Sequence, residues 1–190
     1  MKPHKYLMSA FFVLICHVFF VSAQQSATSI PDVVYVPTDQ KVVDAMLKLA
    51  KVTKYDTVYD LGCGDGRIII TAAKEFGARG IGIEINNELV KRADENARQA
   101  GVADKVKFIE ADLFKTDFSR ATVVMLYLSP GVNLQLRPRL LRQLKSGTRI
   151  VSHDFDMGDW KPEQTIKLEA AMLYLWTVPA KKPTLQRFGI

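Results

Sequence analysis

The chain has 190 residues, 48% of them apolar and 24% charged, with a formal net charge of +6. This is the composition of a folded domain with its own core, and it excludes a disordered tail; the length suits one domain of ordinary size. Two cysteines, Cys16 and Cys63, exclude a disulfide scaffold, and the scattered His4, His17 and His153 exclude a Cys/His zinc cluster, so no metal is expected. Setting Lys2 and Lys5 aside from the 26 basic residues leaves 24 against 20 acidic, a bias too mild to imply a nucleic-acid partner.

Residues 1–23 read as a secretory signal. Lys2 and Lys5 give a positive start, Leu7 to Val21 an apolar stretch, and Val21-Ser22-Ala23 a small-residue cleavage site. The apolar stretch is 15 residues, short of the ~20 that a membrane span needs. An uncleaved anchor is the rival reading. On either one, positive-inside logic keeps Lys2 and Lys5 cytoplasmic and puts the domain outside, exported after cleavage or membrane-anchored without it. No stable membrane insertion is expected once the signal is removed. Residues 24–33 are expected to be a short linker and 34–190 one domain.

From about residue 30 the chain alternates β-branched runs with amphipathic helices, the pattern of an α/β fold with a parallel sheet. Thr38 is a candidate cap for a helix in which Val42, Met46 and Leu49 share a face. Thr57 to Leu61 reads as a buried strand running into glycines, and Arg67 to Phe76 as a helix stopped by Gly77. Gly80 to Glu84 is the second strand. Asn87 is placed as the cap of a helix with Leu89, Ala93, Ala97 and Ala100 on one side, ended by Gly101. Lys105 to Ile109 and Thr122 to Leu128 follow as strands. Pro138 suits the first turn of a helix ended by Gly147. Thr148 to His153 is a strand, and Thr165 to Glu169 with Met172 to Val178 a closing antiparallel pair.

The run Asp60-Leu61-Gly62-Cys63-Gly64-Asp65-Gly66 leaves a strand and enters a helix, the usual place for a nucleotide. Its glycines allow positive φ and let a ligand approach main chain. Glu84, at the end of the next strand, lies about 20 residues on, the spacing expected of an acid reaching ribose hydroxyls. The dinucleotide pattern fails, because its third glycine would fall at Arg67; no Walker triplet occurs. Asp60 puts an acid where a pyrophosphate wants none, and suits a ligand with a positive end, such as S-adenosylmethionine. Read apart from Glu84, the run is a tight turn with a helix cap at Asp65. Asp112, past the third strand, fits the same scheme as an acceptor for an adenine amino group, or by itself is a solvated cap.

Val58 to Arg67, Gly82-Ile83-Glu84 and Glu110-Ala111-Asp112 resemble the successive motifs of class I S-adenosylmethionine-dependent methyltransferases. Tyr35-Val36-Pro37-Thr38, Ala121 to Val124 and Gly147 to Phe155 resemble, more narrowly, small protein lysine methyltransferases: archaeal enzymes of broad range and mitochondrial relatives modifying ATP synthase and carrier proteins. The resemblance implies a Rossmann-like fold, a seven-stranded mostly parallel sheet with an antiparallel last strand and helices on both faces. It implies S-adenosylmethionine as cofactor, bound by Tyr35, Thr38, Asp60, Gly62, Cys63, Gly64, Gly66, Glu84 and Asp112. A protein presenting lysine is the implied partner, and a monomer is expected. The chain departs from the subgroup at Asp39, where that subgroup usually has proline.

A lysine acceptor must give up its proton, at a cost of about 4–5 kcal/mol from its ordinary pKa, less in a dry pocket. Apolar walls and a few acceptors therefore matter more than a strong base. Tyr127 and Ser129, in the segment after the fourth strand, are candidate wall and acceptor, with a core tyrosine as the alternative. That segment lacks the Asn/Asp-Pro-Pro-Tyr run of enzymes that methylate base nitrogens or glutamine. Tyr35 and Thr38 are placed on the other side of the pocket. Ser152, Asp154 and Asp156 follow the fifth strand; Asp154 is the candidate acid to attract lysine, and loop caps are the equal alternative. His153 reads as a structural hydrogen bonder before a base, Cys63 as a small apolar filler, and Trp160 and Trp176 as packing residues. A small-molecule or lipid methyltransferase and a non-catalytic Rossmann-like binding protein stand as alternative functions.

Overall fold

Seven strands and four helices make up residues 35–180, the part of the chain that the computed structural model describes. The expected signal and linker, and residue 34, lie outside the described residues, as do residues 181–190. In chain order the elements are α1 (Gln40–Leu49), β1 (Thr57–Leu61), α2 (Arg67–Phe76), β2 (Arg79–Glu84), α3 (Asn87–Gln99) and β3 (Val106–Glu110). Then come β4 (Val123–Leu126), α4 (Pro130–Gln143), β5 (Arg149–His153), β6 (Gln164–Lys167) and β7 (Met172–Thr177).

The strands form one sheet in the order β3-β2-β1-β4-β5-β7-β6. The first five are parallel neighbours, and β7 runs antiparallel between β5 and β6. This is the expected Rossmann-like arrangement, with the order reversing between β1 and β4 and the carboxyl ends of both strands at one edge.

Strand alternation divides the core. Val58, Val123, Met125 and Val151 pack with α1, α2 and α3 on one face; Tyr59, Leu61, Val124, Leu126 and Ile150 pack with α4 on the other. Among the described residues, no helix is long and apolar enough to cross a membrane.

Four local expectations are corrected. Asp39, not Thr38, caps α1, its Oδ1 accepting from Lys41 N at 2.8 Å, so the departure from proline there supplies a helix cap instead. Asn86, one residue before Asn87, caps α3 by accepting from Glu88 and Leu89. Left-handed Gly66 stands at the N-cap position of α2, and Asp65 just before it does bond the helix start, its Oδ1 accepting Arg67 N–H at 3.3 Å. The fourth helix starts at Pro130 behind Ser129, and Pro138 lies inside it. Two prolines satisfy the same first-turn rule, and the earlier one carries the cap residue before it. That helix also ends at Gln143, with Leu144 already extended as its C-cap, short of Gly147. Gly77 does end α2, in the left-handed conformation, and Trp176 is buried as a packing residue.

Candidate active site

At the end of β1 the chain reverses at once, because Gly62, Gly64 and Gly66 take φ values of +88°, +54° and +81°. The turn is bolted to β2. The N–H groups of Gly62 and Cys63 both donate to the Ile83 carbonyl, at 2.8 and 3.0 Å, and Gly64 N–H donates to Glu84 Oε2 at 3.0 Å. Gly66 N–H donates back to Cys63 O. With these amides used inside the protein, the turn is a poor nest for an anion.

What the turn offers is acid. Asp60, one residue before the end of β1, is 2% exposed and makes no hydrogen bond to any side chain or loop among the described residues. Burial, and then the neighbouring Glu84 and Asp65 charges, push its carboxyl up to about 8. A buried carboxyl left this way is costly unless something positive comes to it.

Glu84 is also buried. Besides Gly64 N–H it accepts Asn86 N–H at 2.9 Å through Oε1. Two of roughly four lone-pair sites are used, and the rest can accept from hydroxyls. The register Glu84↔Glu110 sets the end of β3 alongside, and Asp112 lies two residues beyond. Asp112 Oδ1 accepts Phe114 N–H at 2.8 Å, so this aspartate holds its own loop while staying at the sheet edge.

The glycines also admit side chains that wall the turn. A Cβ on Gly62 would lie 2.8 Å from Leu128, one on Gly66 would lie 2.6 Å from the Phe108 ring, and one on Gly64 would strike the Tyr35 ring. Tyr35 thus lies over the turn. Cys63 is buried with its thiol pushed up by burial and by the acids around it, which makes it the filler expected rather than a nucleophile.

On the acceptor side, β4–β5 pairing sets Leu126 against Ser152, so the next residues, Tyr127 and His153, come together. Their rings stack with centroids 3.9 Å apart, and Phe155 lies 6.4 Å from Tyr127, nearly parallel. Thr38 Oγ1 makes a long contact of 3.5 Å with His153 Nδ1. Burial lowers the His153 pKa against the opposing pull of Asp154, and burial first, then Asp154, raises that of the Tyr127 hydroxyl. Both rings are therefore neutral near pH 7.

Asp154 adopts φ +62° and ties β5 to β7: its Oδ1 accepts Met172 N–H at 2.9 Å, while Oδ2 lies 3.4 Å from His153 Nε2. Asp156 accepts from Gly158 N–H at 3.0 Å. Ser129 Oγ faces Val132 N–H at 3.4 Å as the cap of α4. Ser152 is fully buried on the α4 side, beside Asn133, and does not join this face.

The structure adds Phe155, Leu128 and Arg67, none of which the sequence reading singled out as site residues. Only Arg67 left a trace, as the non-glycine at a glycine position. A groove of about 710 Å³ between α1, α2 and α3 holds none of the three acids Asp60, Glu84 and Asp112. Among the described residues no cluster of His, Cys, Asp or Glu is arranged to hold a metal ion.

Residues 60–164 match the model of the ANTKMT methyltransferase domain. The chain is 49% identical over 141 residues to a protein-lysine N-methyltransferase of Saccharolobus islandicus, covering 74% of this chain and 88% of that one. It is 34% identical to a human lysine N-methyltransferase of ATP synthase over 68% of this chain, and spans only 54% of that protein's length. A Salinibacter ruber structure described as an RNA methyltransferase, in complex with S-adenosyl-L-homocysteine, superposes with a TM-score of 0.76. It shares 58% identity over 78% of this chain and 97% of that one.

Proposed function

Since the chain belongs to the ANTKMT methyltransferase domain family and is an S-adenosylmethionine-dependent methyltransferase, we propose that it methylates lysine side chains of proteins. The observation that carries the cofactor placement is Asp60: a buried carboxyl without a protein partner, beside a turn whose amides are already used. When bound, the cofactor supplies a methyl group on a positively charged sulfur. In this reading Asp60 offers the negative charge that a cationic ligand requires, and Glu84 accepts from ribose hydroxyls. Gly62, Gly64 and Gly66 give the turn its left-handed backbone and admit Leu128, Tyr35 and Phe108 as its walls, Asp112 takes the adenine end, and Tyr35 and Thr38 close the rim.

Tyr127, His153 and Phe155 form the acceptor wall. Three neutral, stacked rings exclude water and favour the uncharged amine over ammonium, which lowers the deprotonation cost of about 4–5 kcal/mol. Transfer in line then needs position more than a base. Asp154, a third exposed, sits where it attracts an incoming cation, and Ser129 fixes the helix start behind the wall.

The protein-lysine reading is supported by the relative that matches over most of both chains. The Salinibacter description favours RNA as a second acceptor class. One experiment separates them: the chain, labelled cofactor and either a protein mixture or an RNA mixture. Label in protein, located on lysine by mass spectrometry, is the expected result; label in RNA alone overturns it.

A further inference from the structure

The residue that breaks the dinucleotide pattern is Arg67, and its guanidinium is engaged on two sides. Nε donates to Asp65 Oδ1 at 2.9 Å and Nη2 to Asp65 Oδ2 at 2.6 Å, while Nη1 donates to the Thr38 carbonyl at 2.8 Å. Asp65 is itself anchored from behind, its carbonyl accepting Asn96 Nδ2 at 2.9 Å. One planar fork thereby joins the glycine turn to a segment 29 residues earlier in the chain.

That segment has few other ties. Among the described residues no backbone–backbone hydrogen bond holds 35–38 to the rest of the protein. Pro37 has no N–H to give, Val36 is 55% exposed, and the Thr38 hydroxyl has only its long contact with His153. Yet the segment lies across the site, with the Tyr35 ring on Gly64 and Thr38 against His153. Burial and the Asp65 carboxylate raise the pKa of the Tyr35 hydroxyl, consistent with its lying beside the Asp65–Arg67 pair.

We infer that Arg67 is a positioning residue: it clips residues 35–38 across the glycine turn and so sets how long the cofactor stays bound. The chemistry demands arginine. A bidentate grip on Asp65 occupies one edge of the guanidinium and leaves a third N–H aimed at Thr38 O, whereas a lysine ammonium is a point charge without that fixed geometry. The inference rests on the cofactor placement proposed above.

The test uses the full chain, with S-adenosylhomocysteine as the probe. Wild type, Arg67→Met and Arg67→Lys are compared by ligand dissociation rate, by the rate of chymotryptic cleavage after Tyr35, and by KM and kcat. Arg67→Met is expected to release the probe roughly tenfold faster or more and to be cut faster by chymotrypsin after Tyr35, with or without probe. Its kinetic defect should fall on KM for the cofactor rather than on kcat, with Arg67→Lys in between. A wild-type release rate in Arg67→Met, or an unchanged rate of cleavage after Tyr35, overturns the inference. Should Arg67→Met fail to fold, Arg67→Lys decides by the same two measurements. A wild-type chain that binds no probe sinks the cofactor placement first and this inference with it, an outcome the wild-type arm reads separately.

Discussion

Asp56 and Asp60 lie four residues apart at opposite ends of β1, both buried, and their environments are opposite. At the amino end, Asp56 accepts from Thr53 N–H and hydroxyl, from the Thr122 hydroxyl and from Arg149, whose guanidinium also reaches the Ala50 and Lys51 carbonyls. Burial alone would raise its pKa, but these bonds and the Arg149 charge outweigh burial and hold it low. At the carboxyl end, Asp60 has burial and two like charges, and its pKa rises. A buried acid with every lone pair answered holds a fold together. One left unanswered costs stability, and such a cost is tolerated where a ligand will meet it.

The sharpest way to break this comparison is to exchange the two roles. Asp60→Asn should weaken S-adenosylmethionine binding by about a hundredfold or more, the loss of an ion-pair-strength contact, while leaving thermal stability equal or higher. Calorimetry with S-adenosylmethionine and a melting curve check both halves. Asp56→Asn should do the reverse, costing about 2–3 kcal/mol of stability by breaking the Thr122 and Arg149 bonds, with cofactor affinity near that of the wild type.

The pH response is the next effect in size. Asp60 has a folded pKa of about 8 against about 4 unfolded, so the folded state holds the extra proton between these values. Its contribution is complete below about pH 4 and is lost as pH rises through about 8, so stability of the ligand-free protein should fall across that window. Asp56, with its pKa held down, contributes above the unfolded value and loses that contribution as pH falls through its folded one. Denaturant titrations should show the decline between about pH 4 and pH 8 disappear in Asp60→Asn and the acid decline shrink in Asp56→Asn. Cofactor affinity should rise toward pH 8 in the wild type, since the cation meets the ionised acid.

A smaller effect belongs to the acceptor wall. Tyr127→Ala should raise KM for a protein acceptor about tenfold by removing the ring stacked on His153, with cofactor affinity unchanged. Tyr127→Phe keeps the stack and should stay within about threefold. Equal losses in both variants would give the hydroxyl, not the ring, the leading part.

The strand–glycine–helix unit and its acidic partner were legible in the sequence because each is local: a β-branched run, alternate glycines, an acid one strand later. The antiparallel closing pair was legible for the same reason. What was hidden depends on distant partners. Nothing near Arg67 announces the Thr38 carbonyl, and nothing near Tyr127 announces Phe155; both meetings follow from sheet order and register. Helix starts slipped by one residue at Asp39 and Asn86, where adjacent polar residues compete for one cap and only backbone angles decide.

The placement of β7 bears on how the chain is made. Among the described residues β7 is the last strand synthesised, yet it sits inside the sheet, and Leu173, Leu175 and Trp176 complete the cores on both faces. A nascent chain that has emerged only as far as Glu163 would have the whole glycine turn but a bare, apolar β5 edge. Such an edge pairs readily with other chains, so premature termination just before the final hairpin should yield aggregates rather than a smaller working enzyme.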